Sequence, residues 1–254
     1  MNNLEIDLDK KFTNLPNAPI VEAVVHWQTP PSSQLQQASL QDALSQSFED
    51  YSVQPQLNQE VGLSGNATNF EVKQRMNWEG CRLSSPKKSK PKFVCQFLSN
   101  GIAFSQLAPY QGWPQFIGEA KRFWAKYVEL ASPSSVSPLS VRYISQIPVQ
   151  SPDEVGNCIE QVCAPLSGLG LAADHFFHQD SIQLRNHPYK INVIRAVQPA
   201  TDKSANLIVD ISVSTTSVLE DLNVLDDKLN ELRFIKNEVF FKLMKDAETK
   251  FGAA

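Results

Sequence analysis

Residues 20–28 read IVEAVVHWQ, and residues 139–147 read LSVRYISQI. Both runs are rich in β-branched and aromatic side chains. Pro19 and Pro30 bracket the first, and Pro148 closes the second. Apolar runs of this length between breakers are strands. What decides the fold is that each is followed by the same succession of patterns.

After the first strand, Ser39 with Asp42 three residues on marks a helix start, and Leu40, Leu44, Phe48 and Tyr51 recur at helical spacing. Three strands are expected next. Residues 56–63 form the weakest, 69–83 alternate unevenly, and 92–98 (KFVCQFL) are clear, with Ile102-Ala-Phe104 as a continuation after Asn100-Gly101. Residues 84–91, SSPKKSKP, read as a hairpin tip. A long helix is predicted over 113–131, with Pro114 in its first turn, where a missing N–H costs nothing. Its apolar face carries Phe116, Ala120, Phe123, Trp124, Tyr127 and Ala131.

Residues 132–138, SPSSVSP, form the one convincing internal linker. The second half then repeats the order. Ser151-Pro-Asp-Glu154 opens a helix with Val155, Ile159, Val162 and Leu166 on one face. Residues 173–185, 189–197 and 206–214 are strands, and a long helix closes the chain over about 219–251. The expectation is α+β: a duplicated β-α-β-β-β-α unit, with lobes at 1–132 and 139–254 around a linker at 133–138. Hairpin-linked strands favour antiparallel pairing, and each long helix has one stripe to bury. The two lobes would join into one curved sheet with helices on one face and the other face free. The TATA-box-binding-like folds show this order of elements, an analogy of fold that carries no function.

Composition bounds the function. The chain has 254 residues, 42% hydrophobic and 20% charged, with a net charge of −4, so phosphate contacts are not its main business. The opening MNNLEIDLDKKF lacks the pattern of a secretory signal, and no run approaches the roughly 18 apolar residues of a membrane span. A cytoplasmic setting with reduced thiols at Cys81, Cys95, Cys158 and Cys163 is expected.

Four stretches carry a resemblance: Leu15-Pro-Asn-Ala-Pro-Ile-Val-Glu-Ala23, Ala108-Pro-Tyr110 with Trp113, Val141-Arg-Tyr-Ile144, and Arg233-Phe-Ile-Lys-Asn-Glu-Val-Phe-Phe241. Together they resemble a sporadically distributed bacterial family of about this length with no assigned function. The resemblance implies an accessory role, in defence or stress, and supplies no catalytic residues.

Chemistry is sparse. Asp174, His175, His178, Asp180 and His187 cluster, but on a strand His178 and His175 point apart. Cys158 and Cys163 fall on different helix faces, so no metal site is expected. No G-x-S-x-G, glycine-rich phosphate loop or H-E-x-x-H occurs, so neither a catalytic site nor a cofactor is expected. Glu22, inside an apolar strand, offers an inward carboxylate that can pair with Arg142 or another base, more as structure than as chemistry. Lys87, Lys88, Lys90 and Lys92, with Arg75, Arg82 and Trp78 on the adjoining strand, offer phosphate contacts and a stacking ring. The bland alternative is a solvated hairpin tip.

Tyr110, Trp113 and Tyr143 mark an aromatic loop and strand. Phe234, Phe240 and Phe241 lie outside the main stripe of the last helix. That surplus implies either a helix projecting toward a protein partner or a second copy, or a helix covered within the molecule. The expected function is a non-enzymatic binding or adaptor protein contacting a protein partner through the sheet face or last helix, with a homodimer as one form. A nucleic-acid or nucleotide sensor is the first alternative and an enzyme of unrecognised type the second.

Overall fold

The computed structural model describes residues 4–66, 69–86, 88–89, 91–150, 152–160, 177–201 and 204–252. In chain order these form β1 (Ile20–Gln28), α1 (Gln37–Ser47), β2 (Ser52–Asn66), β3 (Asn69–Ser84), β4 (Phe93–Leu98), β5 (Gly101–Leu107) and α2 (Trp113–Ala131). There follow β6 (Leu139–Val149), a 3₁₀ turn (Pro152–Asn157), β7 (Phe177–Gln183), β8 (Tyr189–Thr201) and β9 (Ser204–Thr215). A short turn (Leu222–Val224) leads into α3 (Leu225–Leu243) and α4 (Ala247–Phe251).

The described strands make one nine-stranded curved sheet, ordered β2-β3-β4-β5-β1-β6-β9-β8-β7 and antiparallel throughout. The strands that decided the fold lie side by side at its centre. Val24 of β1 faces Arg142 of β6, and Trp27 faces Leu139.

Alternation assigns the faces. Ala23, Val25 and Trp27 of β1 point toward the helices and are fully buried, as are Val141 of β6 and Val209 and Val213 of β9. The helices cover this face alone. Trp27 stacks on Trp124 of α2 at 5.4 Å, and Phe123 stacks on Phe48 at 4.2 Å. Each such fully buried ring contributes roughly 2–3 kcal/mol. Glu22, Val24 and His26, with Arg142 and Ile144, point to the uncovered face.

Several expectations need correction. The run expected as one strand over 92–98 and beyond is a hairpin, β4 and β5, turning at Ser99-Asn100. Gly101 makes it possible: its φ is +137°, and a Cβ there would lie 2.1 Å from the Trp27 carbonyl oxygen. The first half is therefore β-α-β-β-β-β-α. The strand leading into α2, and lying against β1, is β5, not 92–98. The strict duplication expected from the sequence is not shown.

Helix α1 begins at Gln37 with no side-chain cap, and Ser39 instead donates its hydroxyl to the Gln36 carbonyl. The helix expected from Ser151 is a six-residue 3₁₀ turn, and Ile159 pairs in a β-bridge with Met244. Val162, Leu166, Cys163, Asp174 and His175 lie outside the described residues. Pro148 does not end β6. It sits opposite Asn206, beyond the stretch that β1 covers, where a missing N–H breaks no bond to that neighbour.

The final helix is two helices. Met244 is extended and Asp246 left-handed, between α3 and α4. No proline or glycine causes this break. It is held from outside: Glu160 N–H donates to Leu243 O, Lys245 N–H to Cys158 O, and Lys245 Nζ to Gly156 O at 2.8 Å.

Nor does α3 project. Residues 10–18 run over it as a strap. Phe12 packs edge-on against Phe234 and stacks on Phe241, both at 5.6 Å. Lys10 pairs with Glu238, Thr13 donates to Glu248, and Asn17 bonds Phe251 O and Gly252 O. The surplus apolar surface that pointed to a partner or second copy is covered from within.

Candidate functional site: a cation-lined cavity beneath α3

Helix α3 lies across β6 and β9. Its buried positions include Leu229, Leu232, Ile235, Lys236 and Phe240. Lys236 thus stands four residues from Leu232 and four from Phe240, on the stripe that belongs to the core. It leaves only 8% of its surface exposed.

Around Lys236 is a cavity of about 460 Å³. Its walls come from four places. The strap supplies Phe12 to Pro16, and the loop before α2 supplies Tyr110, Gln111 and Gly112 with Trp113. The sheet supplies Tyr143, Ser145 and Ile211, and α3 supplies Arg233, Lys236, Asn237 and Phe240. No aspartate or glutamate is among the residues lining it.

The charge is therefore one-sided. Lys236 Nζ sits 4.1 Å from the centroid of the Tyr143 ring. Its nitrogen has no hydrogen-bond or ion-pair partner among the described residues. Burial, then the nearby Arg233 charge, lowers its pKa to about 7. Arg233 lies over Trp113, its guanidinium carbon 5.5 Å from the ring centroid, and likewise has no carboxylate partner among the described residues. Arg233 also lines a second cavity, of about 500 Å³, together with Lys10, Lys11 and Phe12.

The start of α2 adds to this field. Its N-cap, Gly112, has φ +99°, provides no side-chain cap, and no acidic residue stands in the first turn. Pro114 has no N–H to give and Phe116 N–H already bonds Gly112 O, so what the helix end brings to the cavity wall is its partial positive charge. The hydroxyls of Tyr110 and Tyr143 bond each other at 3.1 Å. Burial raises the Tyr110 pKa to about 12 and pushes Tyr143 well above its usual value, so both stay protonated.

Of the residues flagged in the sequence, Tyr110, Trp113, Tyr143, Phe240 and Phe241 all line this cavity. Phe234 lies at the neighbouring one. Glu22 and Arg142 do not: they are on the opposite face of the sheet. Nor is Glu22 the partner of Arg142. Asp210 is, with Arg142 Nε at 2.9 and 3.0 Å from its two oxygens and Nη2 at 2.6 Å. Register alone does not choose between the acids, since Glu22 on β1 and Asp210 on β9 both stand opposite Ile144; Asp210 is the more deeply buried of the two and holds the guanidinium.

At the β3–β4 tip Lys88 is exposed, and Lys87 and Lys90 lie outside the described residues. Arg75 lies on β3, opposite Glu60 of β2. Trp78 is half-buried against the core with its indole N–H buried and unpartnered, so its ring is no open stacking platform. His178 and Asp180 share a face and bond at 3.0 Å, and Asp180 also pairs with Arg195. No group of residues fit to hold a metal occurs among the described residues. Among them, too, no helix is long and apolar enough to cross a membrane.

The reading of the sequence missed Lys236 and Arg233 as site residues, although both fall within a stretch quoted for its resemblance. The signal was there: a lysine midway between Leu232 and Phe240, on a core stripe.

No family model matches the chain, and no curated protein and no solved structure matches it either.

Proposed function

We propose that this chain is a non-enzymatic binding protein whose cavity beneath α3 takes a small anionic ligand with an apolar body. One observation carries the reading: two cations, Arg233 and Lys236, line a cavity free of carboxylates and have no acidic partner among the described residues. Arg233 is exposed, but Lys236 is buried, and a buried cation is costly unless paired. An anion entering here removes that cost, and the α2 start adds a partial positive charge beside it. Phe240, Ile211 and Trp113 offer the ligand's body an apolar wall.

The nucleic-acid reading has less support. The uncovered sheet face carries Glu22 and Asp210 as well as Arg142, and Trp78 is packed away. On α3 the strap already packs on Phe234 and Phe241, the apolar surplus that a protein partner would use. The accessory or defence setting rests on the sequence resemblance alone.

Calorimetric titration with 3-phenylpropionate and with inorganic phosphate tests the proposal. Saturable binding of 3-phenylpropionate is expected, weakened roughly ten- to a hundredfold in Arg233→Gln, since a charge-assisted hydrogen bond contributes about 1.5–3 kcal/mol. Lys88→Glu, far from the cavity, should bind as the parent does. Equal affinity in Arg233→Gln would sink the assignment.

A further inference from the structure

We propose that Lys236 captures the ketone carbon of a small 2-oxo acid as an imine, with Arg233 holding the adjoining carboxylate. The inference rests on the cavity being an anion site and names the class of ligand it takes. Three features of the structure converge on it.

First, the Lys236 amine has no acceptor or carboxylate among the described residues, so no ion pair there ties up its lone pair. It lies on the face of Tyr143 and lines the cavity. Second, Arg233 precedes it by three residues on the same helix, so the two side chains are neighbours. A ligand held by its carboxylate at Arg233 presents the next carbon to Lys236. A simple carboxylate can only pair with these cations, whereas a carbonyl beside the carboxylate also uses Lys236 as a nucleophile. Third, the strap walls one side of the cavity from Phe12 to Pro16, and Lys236 itself is almost wholly buried, which limits the water that can reach an imine at its nitrogen.

The chemistry balances without an oxidant or reductant. The nitrogen lone pair attacks the ketone carbon and the carbonyl oxygen takes up a proton, giving a carbinolamine. That oxygen then leaves as water, carrying the equivalent of both hydrogens lost from nitrogen, and a C=N bond remains. Burial favours the step, because it leaves a large share of Lys236 as the free amine near neutral pH. The hydroxyl pair of Tyr110 and Tyr143, held protonated, is the nearest described source of a hydrogen bond for the departing oxygen.

The test uses the full chain, phenylpyruvate as the probe and sodium cyanoborohydride to reduce any imine, followed by peptide mass spectrometry. One adduct, on Lys236, is expected at low probe concentration. It should be absent in Lys236→Met, about tenfold slower in Arg233→Gln, and suppressed in the parent protein by excess 3-phenylpropionate. The competition arm needs no variant and holds even if Lys236→Met fails to fold. Adducts spread evenly over exposed lysines such as Lys88 and Lys242 would overturn the proposal, as would labelling of Lys236 indifferent to Arg233→Gln. If 3-phenylpropionate binds but phenylpyruvate forms no adduct, the imine falls and the anion site stands. If neither binds, both fall.

Discussion

Arg142 and Tyr143 are consecutive residues of β6, and they look into different worlds. On the uncovered face, Arg142 keeps about half its side chain in water (49% exposed) yet is gripped by both oxygens of Asp210. On the helix side, the Tyr143 ring supports Lys236, which is almost wholly buried and has no anion among the described residues. Desolvation alone would arrange matters the other way, pairing the buried cation and leaving the wet one to solvent. On the open face Arg142 already holds its counter-charge, whereas on the helix side Lys236 has none among the described residues. A filled sheet face, which first drew attention as the place to bind, is less ready for a ligand than the covered one.

Breaking the Arg142 pair should cost the most. Arg142→Ala leaves Asp210, a largely buried carboxylate, without its partner. A loss of roughly 2–4 kcal/mol is expected in denaturant unfolding, toward the low end because Arg142 is half-exposed. Asp210→Asn should cost less, since the freed guanidinium reaches water.

The Lys236 side should respond with the opposite sign. Lys236→Met removes no ion pair and is expected to stabilise the protein by about 1–3 kcal/mol at pH 6. The gain should fade at higher pH. Lys236 loses its proton near pH 7 in the folded chain and near its ordinary 10.5 in the unfolded one. Below about 7 both states hold the proton, and the native state carries the full cost of burying it. Between the two values the unfolded chain binds the extra proton, so stability of the parent rises with pH. Unfolding midpoints at pH 6, 8 and 10 should show the two proteins converging. The groups set against Lys236 are Arg233 on α3, Tyr143 on β6 and Tyr110 on the loop. A constant gap across that range would mean Lys236 does not titrate as argued.

A smaller effect is expected from Phe12→Ala, which removes the ring between Phe234 and Phe241. The loss should be about 1 kcal/mol, since Phe12 is only half-buried, with faster exchange of amides in residues 10–18. The smallest belongs to Lys88→Glu at the exposed hairpin tip, within about 0.5 kcal/mol of the parent.

How far this was legible in the sequence differs by region. The central strands and α2 were plain, because proline brackets and a clean 3.6-residue stripe leave little else for 20–28, 139–147 and 113–131 to do. The β4–β5 turn was not, since Asn100-Gly101 fits either an interruption or a hairpin until the Trp27 backbone is known to pass beside Gly101. The end of α3 was invisible. Met244, Lys245 and Asp246 suit a helix locally, and only bonds from Cys158, Glu160 and Gly156 break it. Aromatic residues drew attention to Tyr110, Trp113, Tyr143, Phe240 and Phe241, which the fold gathers in one place. Residues 10–18 have no periodicity, so their role as a cover was unreadable, and with it the burial of Phe234 and Phe241.

That cover has a consequence in time as well as in space. Its ties to Glu248 and Gly252 each join residues 235 positions apart. Closing so long a loop is entropically dear and gains little until the sheet beneath exists, so the strap should be among the last parts to settle during folding. For the same reason it is cheap to lift again. Its exposed polar ties and the half-buried Phe12 and Leu15 hold it, none belongs to the strand ladder, and raising it leaves all nine described strands paired. Lifting the strap is thus a local opening rather than an unfolding, and the amides of residues 10–18 should exchange well before those of the central strands.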